Sequence, residues 1–62
     1  MNRIEVIRQL QSIIDYAKDN VDTWDAYNDN DEPNPWSEDI IACNVAISTL
    51  MEVWGLSQGD IE

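Results

Sequence analysis

Between Ile40 and Trp54 the chain runs Ile-Ile-Ala-Cys-Asn-Val-Ala-Ile-Ser-Thr-Leu-Met-Glu-Val-Trp, with Glu52 as its single charge. A helix that crosses a bilayer needs about 18 or more consecutive apolar residues, and Asn44, Ser48, Thr49 and Glu52 interrupt this run, so no membrane span is expected. At helical spacing Trp36, Ile40, Cys43, Ile47, Leu50 and Trp54 share one seam, flanked by Ala46, Met51 and Val53. Ile41 and Val45 point away from it, into the arc of Asn44, Ser48 and Glu52. A helix that is apolar on more than one side needs more than one partner, and this constrains the rest of the fold.

The partner within the chain is a first helix, expected at about residues 3–27. Asn2 can cap it while Glu5 reaches back in a capping box. Ile7, Leu10, Ile14, Ala17, Val21 and Trp24 then keep heptad spacing, and Val6 and Ile13 widen the stripe beyond a two-helix seam. Tyr16 lies off the seam, where its hydroxyl suits a boundary or an interface. Residues 28–35, Asn-Asp-Asn-Asp-Glu-Pro-Asn-Pro, form a turn by composition: two prolines remove backbone donors, and Asn and Asp favour local side-chain turns.

A second helix follows at about 36–54, capped by Ser37 or else by Asn34 with Pro35 in its first turn, and closed by Gly55. In the stretch 56–62, Ser57 and Asp60 stand at capping-box spacing and Leu56 and Ile61 at staple spacing, which allows one further turn. The expected fold is all-α: a hairpin of two long antiparallel helices with a short C-terminal turn. Val6, Ile13, Ile41 and Val45 cannot all be covered within one hairpin, so a homodimer closing a four-helix bundle is expected. Its core and dimer seams would use Ile7, Leu10, Ile14, Val21, Trp24, Ile40, Ile41, Val45, Ile47, Leu50 and Trp54.

A single domain of 62 residues buries barely enough apolar surface to offset its conformational entropy, so small chains usually add a disulfide, a metal or a second copy. One cysteine and no histidine exclude an intrachain disulfide and the usual zinc sets, and leave self-association. Cys43 on the seam is expected to act as a small hydrophobe, and a lone cysteine fits a reducing cytoplasm. The opening Met-Asn-Arg-Ile-Glu does not resemble a signal peptide, so a cytoplasmic location is expected. Nothing in the chain carries a catalytic motif or calls for a cofactor. The acidic turn fails as a calcium loop because Pro33 falls where glycine or a ligand belongs.

The charge pattern is what bears on function. Thirteen acids face three bases for a net charge of -10, and Arg3, Arg8 and Lys18 all lie in the first helix. Asp15, Asp19 and Asp22 follow i, i+4, i+7 as one ridge; Asp25 begins its side, and Asp29, Asp31 and Glu32 carry the field into the turn. Like charges at these spacings destabilise a helix by about 0.2–0.5 kcal/mol per pair, and the total exceeds the magnitude of about 2–8 that solubility asks for. Such a field disfavours direct nucleic-acid binding. Gly55-Leu56-Ser57-Gln58 is similar to the turn of a helix-turn-helix reader, but no recognition helix follows it.

The expected function is therefore non-enzymatic and stoichiometric: contact with a basic protein partner that handles nucleic acid. Carboxylates about 4.5–6 Å apart would imitate phosphates there, with Trp36 as a candidate aromatic anchor. The alternative is a structural or adaptor homodimer that uses its apolar helix surface, the acids serving solubility alone.

Overall fold

The computed structural model describes residues 1–28 and 32–62. Two long helices, α1 (Arg3–Tyr27) and α2 (Pro35–Trp54), pack against each other, and a single turn, α3 (Gln58–Ile61), folds onto α1. The heptad of α1 explains the packing. Ile7, Ile14 and Ala17 are buried while Leu10, Val21 and Trp24 are half-buried, all on the side that meets α2.

Each helix end has a local cause. The Asn2 side chain accepts the Glu5 amide at 2.8 Å. Among the described residues the returning bond from the Glu5 carboxylate is absent, so half of the expected box forms. At α2 the cap is Asn34, and the Ser37 alternative is set aside: Pro35 takes the first helical position, and Ser37 is one of the residues being capped. Asn34 Oδ1 accepts the amides of Trp36 (2.9 Å) and Ser37 (3.4 Å). Proline wins the first position because its missing N–H would be unpaired there in any case. α2 ends in a left-handed Gly55, φ 67°, with the Gly55 and Leu56 amides donating to the carbonyls of Glu52 and Met51. This is the Schellman arrangement that glycine favours.

α3 is held by its own residues and by α1. The Ser57 amide and hydroxyl both donate to Asp60 Oδ2, at 2.7 and 3.1 Å, and these bonds hold the Asp60 carboxyl below the ordinary aspartate range. A lowered folded-state value means that the ionised carboxyl favours the folded turn above the unfolded value of ~3.9, and that this contribution is lost as the pH falls through the lowered value. The Ser57 amide proton is accordingly expected to titrate with a midpoint below ~3.9 in an NMR pH series, and Asp60→Asn should abolish that transition. A midpoint at or above the ordinary value would show that the bonds do not persist in solution.

Ile61 is 5 % exposed, one of four buried apolar side chains among the described residues, the others being Ile7, Ile14 and Ala17. α2 has no buried residue. Its seam residues from Trp36 to Trp54, Cys43 included, are only half-buried, and Val53, expected beside the seam, is 72 % exposed. The reason is that α2 meets one helix within the chain, which covers a narrower arc than its apolar surface spans.

The molecule is a rod of 41 × 19 × 16 Å with an accessible surface of 4550 Å². A compact monomer of this mass, 7.1 kDa, would expose roughly 4,100 Å², so the hairpin leaves about a tenth more surface open than its size requires. Ile41 (64 %) and Val45 (61 %) account for part of it, with Ile13 and Tyr16 also exposed.

Candidate protein-docking surface

Asp15, Asp19 and Asp22 are all exposed along α1. Steps of four and three residues separate them by about 6 and 4.5 Å along the helix axis. Asp25 is exposed as well, but its carboxylate is engaged: Asn34 Nδ2 donates to Asp25 Oδ1 at 3.1 Å and to the Val21 carbonyl at 3.1 Å. Glu32 is exposed; Asp29 and Asp31 lie outside the described residues.

The bases explain why this field is not neutralised locally. The Arg3 guanidinium lies 5.5 Å from the centre of the Trp54 ring, a cation–π contact at the end of the hairpin away from the turn. Arg8 donates through Nη2 (3.0 Å) and Nε (3.4 Å) to the Ile61 carbonyl. Both arginines are thus directed at an aromatic face and a backbone oxygen, which carry no formal charge. Lys18 remains among the carboxylates, three residues after Asp15 and four before Asp22.

Trp36, the candidate anchor, is half-buried, and the edge of Tyr16 meets it with ring centres 5.5 Å apart and planes at 77°. Tyr16 itself stays largely exposed. The pair joins the α2 start to the middle of α1, so Trp36 has a packing role whether or not a partner touches it.

On another side, α1 and α2 leave an open groove. Lys18, Val21, Asp22, Ser37, Ile40 and Ile41 line a depression of about 370 Å³ near the turn. A second depression of about 390 Å³ continues from Lys18 towards Gln58, with Asp15, Ile14, Asn44 and Ile47 on its walls. Ile14, Val21, Ile40 and Ile47 belong to the expected core and dimer seams. In the structure Val21, Ile40 and Ile47 line open depressions as well, while Ile14 stays buried. The available signal was Lys18 set one turn from Asp15 and from Asp22 beside that seam, a mixed-charge border on an apolar strip.

Among the described residues no helix is long and apolar enough to cross a membrane, and no three His, Cys, Asp or Glu side chains stand close enough to share a metal ion. Comparison with protein-family models, with curated proteins and with solved structures gives no match for the chain. What the fold defines by itself is an acidic two-helix hairpin with two adjoining open depressions.

Proposed function

We propose that this chain is a non-enzymatic binding protein that acts stoichiometrically on a basic, nucleic-acid-handling protein, its carboxylates occupying a site that otherwise takes phosphate. The observation that carries this reading is the exposed line of Asp15, Asp19 and Asp22 in a helix whose two arginines are engaged elsewhere. Repulsion along such a line disfavours the isolated helix, and a complementary basic surface would relieve it.

The test is a pull-down from cytoplasmic extract with wild-type protein and the Asp15→Asn/Asp19→Asn/Asp22→Asn variant side by side. Asp25 is left intact because it accepts from Asn34. The helices should remain or gain slightly in stability, whereas partner capture should vanish in the variant and weaken steeply with salt in the wild type. Equal capture by both proteins, insensitive to salt, would remove the acidic ridge from the function.

The homodimer reading has its own supporting observation, the absence of any buried residue in α2 together with exposed Ile41 and Val45. Sedimentation at micromolar concentration separates the two: a well-folded monomer would remove the four-helix bundle and leave that apolar surface to a different protein.

A further inference from the structure

We propose that the groove between α1 and α2 on the Lys18 side is a docking site for a basic amphipathic helix of the partner, an inference that rests on the reading of that partner as basic. Val21, Ile40 and Ile41 supply the apolar surface of the depression near the turn, while the depression beyond Lys18 is mostly polar, with Ile47 on its wall and Ile14 buried beneath it. The two depressions adjoin at Lys18, which lines both. Their α1 walls together run from Gln11 to Asp22, a rise of roughly 16 Å, which is the length of about three helical turns. A helix needs nothing from the groove but side-chain contacts, because its backbone is already hydrogen-bonded.

Charge selects the kind of helix. Asp15 and Asp22 stand on the α1 wall, seven residues or about 10.5 Å apart, with Asp19 exposed on the same helix between them. A partner helix with Lys or Arg at i and i+7 beside its apolar stripe would place one base against each. Lys18, between Asp15 and Asp22, disfavours a third base midway, so that position should be neutral or acidic. A second copy of this chain is a poor occupant, since it brings a net charge of -10 to the same carboxylates. A nucleic-acid strand is repelled for the same reason.

The probe is a lactam-stapled peptide of about 14 residues with Leu at i, i+3, i+7 and i+10 and Arg at i+1 and i+8, titrated by fluorescence anisotropy. A stapled peptide of identical composition, scrambled to destroy the stripe, is the control. The striped peptide should bind at least roughly tenfold tighter than the scrambled one. Ile41→Ser, at an exposed position where circular dichroism should show the fold retained, should weaken it by roughly tenfold, and Lys18→Glu should tighten it by roughly threefold or more.

Equal binding of the two peptides, lost in the Asp15/Asp19/Asp22 variant, would overturn the groove while leaving the basic-partner reading standing. Binding of the striped peptide that ignores both salt and the Asp→Asn changes would overturn the basic class of the occupant. A wild-type dimer that Ile41→Ser dissolves and the peptide does not would assign the face to a second copy and overturn the proposal.

Discussion

Ile7→Ala is expected to leave the protein largely unfolded at 37 °C. Ile7 is 0 % exposed, the most completely enclosed large side chain among the described residues. Truncating a buried isoleucine to alanine destabilises by about 2–5 kcal/mol, while a core of this size rarely supplies more than about 3–5 kcal/mol in all. The loss is therefore comparable with the whole stability of the hairpin. Urea denaturation followed at 222 nm checks it against Ile41→Ala, whose position is 64 % exposed and whose effect should stay within about 0.5 kcal/mol. Equal midpoints for the two variants would mean that the core is not where the structure puts it, or that association covers Ile41 as thoroughly as the hairpin covers Ile7.

The second large effect is expected at Asn34. Its Oδ1 accepts two amides at the start of α2, and its Nδ2 donates to the Val21 carbonyl and the Asp25 carboxylate on α1. Removing a cap destabilises by about 0.5–2 kcal/mol, and the cross-helix bonds add to this, so Asn34→Ala should lower stability by about 2 kcal/mol. Ser37→Ala serves as the comparison and should change little, because Ser37 is a capped residue here. Asn34→Asp should fall between them: the acceptor survives, but the donor is lost and a second carboxylate is brought beside Asp25. A Ser37→Ala effect larger than that of Asn34→Ala would reverse the assignment of the cap.

Asn34 also marks where sequence reasoning stopped. The helices were legible almost to the residue, because the heptad from Ile7 to Trp24, the two prolines and Gly55 are local signals with local causes. The choice between Ser37 and Asn34 was not, since both lie at plausible cap positions; Pro35 at the first helical position favours Asn34, and the bonds of its Nδ2 to Val21 and Asp25 add a contact that sequence spacing does not reveal. Ile61 reads as one half of a staple with Leu56, yet it is buried because α3 folds onto α1, a contact that depends on residues far apart in sequence. The groove was hidden for a related reason. Periodicity places Ile14, Val21, Ile40 and Ile47 on facing stripes, but how fully two stripes close over one another depends on side-chain volumes and helix separation, which periodicity does not carry. The exposed acids were readable as a ridge, while the engagement of Asp25 with Asn34, of Arg3 with the Trp54 ring and of Arg8 with the Ile61 carbonyl was not.

The contacts of Asn34 near the turn and of Arg8 with the Ile61 carbonyl at the other end of the hairpin bear on a degeneracy in α1. Ile7, Ile14 and Val21 recur every seven residues, so the apolar stripe of α1 nearly maps onto itself when α2 slides along it by two turns, and dispersion alone discriminates poorly between such registers. Directional hydrogen bonds do not share that translational symmetry. A slide of even one turn, about 5.4 Å, would separate Asn34 from Val21 and leave its amide donors to find water. The polar contacts at the two ends therefore select one alignment from a set of near-equivalent ones, and misaligned hairpins, rather than unfolded chain, are the states against which they discriminate.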